Sequence, residues 1–150
     1  MDIPDLLAKV ESHAMTLGLF ESVNTHEPKG APPNGLTAAI WVDRVFPMQA
    51  ASGLAATTAV LVFNVRIYSP MLAEPQDMID PEMTAATDKL LNTYSGDFQL
   101  SGSTMSVDLL GMSGQPLTAQ AGYINQDGRL YRVMTIVVPL IVADAWVQAA

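Results

Sequence analysis

What this chain lacks narrows its chemistry first. There is no cysteine among its 150 residues. That excludes a disulfide framework, a thiolate zinc site and a cysteine nucleophile. Basic residues are scarce: seven Lys plus Arg stand against fifteen Asp plus Glu, a net charge of −8. Gripping nucleic-acid phosphates wants the opposite sign. An acidic surface beside DNA repels the backbone, and elsewhere it serves solubility. Charge of either sign is thin, at 15% of residues, against a usual ~25%. The hydrophobic fraction is 49%, which suits an ordered core and leaves neutral or apolar surface for copies of the chain or a partner to cover.

Catalytic and metal signatures are missing as well. Gly53 opens no phosphate-loop pattern, and Gly111-Met112-Ser113-Gly114 lacks the nucleophile-elbow spacing. Ser113 has no evident partner in the two histidines, His13 and His26. The acidic loop with Glu74, Asp77, Asp80 and Glu82 does not match the calcium-loop spacing; capping and solvation account for it. Asp43, Asp97 and Asp108 are scattered, and nothing pairs them as acid and base. The reading is no catalytic residue, no cofactor and no metal. Met1 to Val10 has no basic region before an apolar run, so it is not read as a secretory signal. The uncharged run Val45 to Val65 carries Pro47, Ser52, Gly53 and Asn64, and reads as loop plus strand, with no membrane partner implied.

What is present is organised around Ala55 to Pro81. Thr57 to Tyr68 alternates Ala59, Leu61, Phe63, Val65 and Ile67 against Thr58, Val60, Val62, Asn64, Arg66 and Tyr68. Period-two patterning with one apolar side predicts a strand covered on that side. Ser69-Pro70 should break it before the acidic loop Met71 to Asp80.

Before this stretch, Asp2 caps a helix whose stripe is Leu6, Leu7, Val10, Ala14 and Leu17, stopped at Gly18. Phe20 to Glu27 reads as a short strand, Pro28 to Gly35 as a loop, and Leu36 to Phe46 as a strand. After it, Asp80 as N-cap and Pro81 at the first position open a second helix, burying Met83, Ala86, Leu90 and Tyr94 and ending at Gly96. Phe98 to Leu100 and Ser106 to Leu110 are short strand candidates. Leu117 to Gln126 and Arg129 to Val142 flank Asp127-Gly128, a two-residue hairpin signal. Pro139 lies inside the second arm and predicts an edge or a bulge there. Arg66 and Arg132 interrupt apolar strands, read as pointing away from the apolar rows toward an interface or solvent. Trp146, on the terminal tail, should dock on this subunit or a neighbour. The order predicts one α+β domain over residues 1–150: a mostly antiparallel sheet with two helices packed on one face.

Several runs carry a resemblance. They include Val42-Asp43-Arg44-Val45, Ala51-Ser52-Gly53-Leu54, Arg66-Ile67-Tyr68-Ser69-Pro70-Met71 and Glu74-Pro75-Gln76-Asp77. Ile79-Asp80-Pro81, Val107-Asp108-Leu109-Leu110-Gly111, Ala119-Gln120-Ala121-Gly122-Tyr123 and Tyr131-Arg132-Val133-Met134 complete the set. Through them nearly the whole chain resembles the tail terminator proteins of long, non-contractile-tailed phages of actinobacterial hosts. The resemblance implies a structural virion protein at the head–tail junction, assembled in the host cytoplasm. It implies a six-fold ring on the last layer of the tail tube, which stops growth and meets the head connector. DNA would pass through the lumen without specific binding. On this reading Arg66, Tyr68, Met71, Glu74, Asp77, Arg132 and Trp146 are subunit-interface candidates, and the Met71 to Asp80 loop touches a neighbour. The alternatives are another head-to-tail part (a stopper or tube protein) or a small hydrolase using the acidic loop and His26.

Overall fold

The computed structural model describes residues 1–30, 35–49, 52–53, 55–71, 78–97, 99–100, 102 and 105–148. Among them the elements run α1 (Ile3–Met15), β1 (Ser22–Asn24), β2 (Thr37–Pro47), β3 (Ala56–Pro70), α2 (Ile79–Gly96), β4 (Met105–Val107), β5 (Thr118–Gln126) and β6 (Arg129–Val147). This is the α+β class expected.

One curled sheet has the order β1-β2-β3-β6-β4, with β5 also on β6. Among the described residues only the β1–β2 pairing is parallel. The long strands β2, β3, β6 and β5 therefore alternate in direction. The alternation seen in β3 sets both faces. Ala59, Leu61, Phe63, Val65 and Ile67 turn toward the helices and join Leu6, Val10, Met83, Leu90 and Tyr94 in the main core. Each fully buried Leu, Ile, Val, Phe or Met in this cluster contributes about 1.5–3 kcal/mol. The other row, Thr58 to Tyr68, feeds two smaller clusters on the opposite face.

α1 starts as its sequence dictates: Asp2 accepts the Asp5 N–H at 3.1 Å, and Pro4 sits in the first turn, where no donor is needed. α2 departs from expectation. It begins at Ile79, the cap is Met78 without a side-chain bond, and Asp80 lies inside the first turn. Asp80 is then free to accept from Arg132, and Pro81 still falls where its missing N–H costs nothing. His13 ties the two helices, with Nδ1 2.8 Å from the Lys9 carbonyl and Nε2 2.9 Å from the Asp97 carboxylate. The Tyr94 hydroxyl donates to the Val10 carbonyl at 3.1 Å between the same helices.

Other expectations are corrected. β3 does not break at Ser69-Pro70; pairing with β6 runs to Pro70 opposite Tyr131. Gln99 and Leu100 form a turn, not a strand, with Leu100 at φ 47 and its side chain buried; Phe98 lies outside the described residues. The second short strand is Met105–Val107, and Asp108 leaves it. β6 continues through the supposed tail, so Trp146 pairs opposite Thr57. Pro139 is at neither an edge nor a bulge: it sits in an interior strand opposite Val62. Its missing N–H points to the side where β5 pairing has ended at Val137 and β4 pairing begins at Leu140. No ladder bond is demanded at that gap, so proline is tolerated.

Candidate interaction surface

The face away from the helices is crossed by two loops. Chain 25–30 reaches the β5–β6 turn, where the Gln126 amide donates to the Pro28 carbonyl at 2.7 Å. It covers the end where Ala39, Tyr68, Tyr131 and Val133 are buried. Chain 108–117 reaches β2, where the Arg44 guanidinium donates to Gln115 Oε1 at 3.0 Å. Met112 and Ser113 there face Phe46, Pro47, Met48 and Gln49 across a shallow hollow, above the buried Val60 and Val62.

Between these ends runs a polar band centred on Arg66. Its Nε donates to the Thr135 hydroxyl at 2.9 Å, and its guanidinium lies 5.1 Å from the Trp41 ring centroid. Burial pushes the neighbouring Tyr68 phenol above its ordinary range, against the opposing pull of Arg66. Asn64 donates to Asp43 at 3.5 Å beside it. The band is self-satisfied, with each named group already paired.

Arg132 was expected to point away from the apolar row. It shares the helix-facing row with Met134 and Ile136, because β6 is apolar on both sides and the alternation alone does not choose a face. At the end of the sheet its Nε donates to Asp80 Oδ1 at 2.9 Å and its Nη1 to the Gly122 carbonyl at 3.2 Å. The guanidinium covers the Tyr123 ring at 4.4 Å. Arg132 therefore clamps α2 to the β5–β6 hairpin within one subunit.

The interface candidates do not form one surface. Arg66 and Tyr68 share the loop-crossed face, with Tyr68 buried. Arg132 is on the opposite face, and Met71 donates its N–H to the Leu130 carbonyl near the hairpin end. Trp146 lies at the far end of β6, partly exposed. Glu74 and Asp77, with most of the acidic loop, lie outside the described residues.

The sequence reading missed the hub at Asp108. This side chain is only 5% exposed. Its carboxylate accepts the N–H groups of Gly111 at 3.0 Å, Met112 at 2.8 Å and Ser113 at 2.7 Å, plus the Ser113 hydroxyl. Burial alone pushes an acid up; the Ser113, Met112 and Gly111 bonds outweigh it and hold the carboxyl below its usual range. The loop so fixed projects Leu110, 94% exposed, and Met112, 78% exposed. A readable signal existed: from Leu109 to Gln126 there is no charged residue. In the fold those eighteen positions are one continuous stretch, the projecting loop followed by the edge strand β5. Ser113 serves the hub, and His26 is exposed, with Nδ1 3.2 Å from the Glu27 carbonyl. Among the described residues no cluster of His, Asp or Glu could hold a metal, and no helix is long and apolar enough to cross a membrane.

No family model and no curated protein matches the sequence. Solved structures do. The sheath/tube terminator of an extracellular contractile injection system, in its extended state, is similar over 100% of this chain at 10% identity and TM-score 0.50. This chain spans 62% of that terminator's length. A solved structure that carries no functional name matches 97% of this chain and 92% of its own, at 15% identity and TM-score 0.46, too low to weigh. At such identities the likeness is one of fold: two helices on a mostly antiparallel, curled sheet, as in a tail terminator.

Proposed function

We propose that this chain is a structural component of a tail-like assembly, a terminator that caps the end of a tail tube. The observation that carries the reading is the match of the whole chain to a sheath/tube terminator fold. The motif resemblance to terminators of non-contractile phage tails points the same way and supplies the finer version. In that version a six-fold ring sits on the last tube layer, stops growth and meets the head connector, with DNA passing through its lumen. The acidic balance of −8 agrees with walls that DNA slides past without sticking.

The test is addition of the purified chain to polymerising tube subunits, imaged by negative-stain electron microscopy. A terminator caps tube ends and shortens the tubes in proportion to its concentration. Open filaments made by this chain alone would make it a tube protein. Tubes of unchanged length with bare ends would remove the capping role.

A further inference from the structure

We infer that the uncharged edge strand β5 is the surface through which one copy of this chain pairs with the free edge of β2 in the next copy, continuing the sheet from subunit to subunit. The inference deepens the ring reading and rests on its self-association, not on any tube partner.

Among the described residues β5 is paired along one side only, to β6. The hairpin turn fixes which backbone groups are left over. Asp127 and Gly128 have φ 52 and 74, the pair of positive values that a type I′ turn needs. Gln126 and Arg129 close that turn opposite one another as the hydrogen-bonded pair. Alternation then leaves the N–H and C=O groups of Ala119, Ala121, Tyr123 and Asn125 pointing outward. An edge of this kind recruits another strand unless it is blunted by charge, proline, a bulge or a cover. β5 has no charge, no proline and no register break along its nine residues.

The second free edge is β2. β1 covers only Thr37, Ala38 and Ala39. Beyond them, Ile40 to Pro47 has no strand on that side among the described residues. β2 carries a bulge between Val42 and Arg44 and ends in Pro47, so the parts of its edge open to a neighbouring strand are Ile40 to Val42 and Val45 to Phe46. Asp43 and Arg44 at the bulge lie 3.8 Å apart and offset one another in charge.

Two features select a second copy as the occupant. The first is polarity. The four long strands run alternately, so β5 and β2 bound the sheet on opposite sides and in opposite directions. A neighbour related by rotation about an axis along the strands brings its β2 antiparallel to β5, the arrangement the rest of the sheet uses. Such a contact is heterologous, and it closes into a ring when the rotation divides the circle. The second is charge. Two copies of a chain at −8 repel, and like charges across an interface cost several kcal/mol. Self-association therefore needs a charge-free surface, and Leu109 to Gln126 is one. Strand addition of this kind draws its affinity from main-chain bonds.

The experiment uses the chain alone, so a failure here is distinct from a failure to bind tubes. Molar mass is measured by light scattering across a concentration series, with hydrogen exchange read by mass spectrometry in parallel. The expected result is a species above monomer mass, with exchange in both 118–126 and 40–47 slowed at least tenfold on association. Ala121→Pro removes one outward donor, and Ala121→Lys places a charge on the edge. Each should keep native circular dichroism and stay monomeric; two variants guard against one failing to fold. A monomer at every concentration would overturn the inference. So would assembly by both folded variants, or protection confined to 118–126, which would mean β5 pairs with itself about a twofold axis.

Discussion

The backbone N–H of Asp108 donates to the Pro139 carbonyl at 2.8 Å, and that bond marks where β6 changes partners. On one side of it β6 carries β5, on the other β4, and the chain between them leaves as the Asp108 loop. A proline is accommodated in an interior strand because its missing donor faces the seam between two neighbours.

Pro139→Ala should therefore be mild. It removes no bond and restores some freedom to the unfolded chain, which costs about 0.4–1 kcal/mol. Val138→Pro is the contrast. Val138 pairs with Phe63 on β3, and proline there removes a central ladder bond and leaves a buried acceptor unsatisfied, at a cost of about 1–3 kcal/mol. Urea denaturation of both variants checks the pair. Similar losses would mean that Pro139 is not at a seam.

Asp108→Asn keeps the shape and removes the charge that organises the loop. Hydrogen bonds to a charged group contribute about 1.5–3 kcal/mol, so a loss of about 2 kcal/mol at pH 7 is expected. The carboxyl is held below its usual range in the fold. Its stabilisation is complete above the unfolded value of about 3.9 and fades as pH falls through the lower folded value. The wild type should lose stability below about pH 4 by more than the variant does. Parallel acid-denaturation curves for the two proteins would remove Asp108 from the hub role.

How much of this was legible in sequence depended on how local the signal was. The Ala59-to-Ile67 row of β3 identified the helix-facing side, because one row was apolar and the other mixed. The Asp127-Gly128 turn and the Asp2 cap are set by residues in contact along the chain, and both came out as read. Pro139 was misjudged because the gap that excuses it is made by β4 and β5, far away in sequence. Asp80 was assigned to a cap because Arg132, fifty-two positions on, is its actual partner. Asp108 looked isolated for a different reason: its partners are backbone N–H groups, which no side-chain pattern announces. The uncharged stretch Leu109 to Gln126 was visible as composition, yet only the fold makes it a single edge and projection.

Tyr94→Phe tests the tie between the helices. The buried hydroxyl donates to Val10, and losing one such bond costs about 0.5–1.5 kcal/mol. Burial pushes this phenol above its ordinary range. The neutral form is the one the fold favours, so its contribution is complete below an unfolded value of about 10 and is lost as pH rises toward the folded one. Wild type should therefore be more sensitive to alkali than Tyr94→Phe, as read by circular dichroism with tyrosinate absorbance. Ionisation of every tyrosine near pH 10, with the fold intact, would contradict the burial.

Leu90 and Leu110 have the same side chain in opposite settings. Leu90 is fully buried against the sheet, whereas Leu110 is 94% exposed on the loop. Leu90→Ala leaves a cavity and should cost about 2–5 kcal/mol. Leu110→Ala removes nothing the subunit packs against and should stay within about 0.5 kcal/mol. The comparison belongs at low protein concentration, where copies do not cover the loop. There, thermal unfolding should separate Leu90→Ala clearly from wild type and leave Leu110→Ala on top of it. If Leu110→Ala instead melts as early as Leu90→Ala, the loop tip is packed within the subunit and is not a projection.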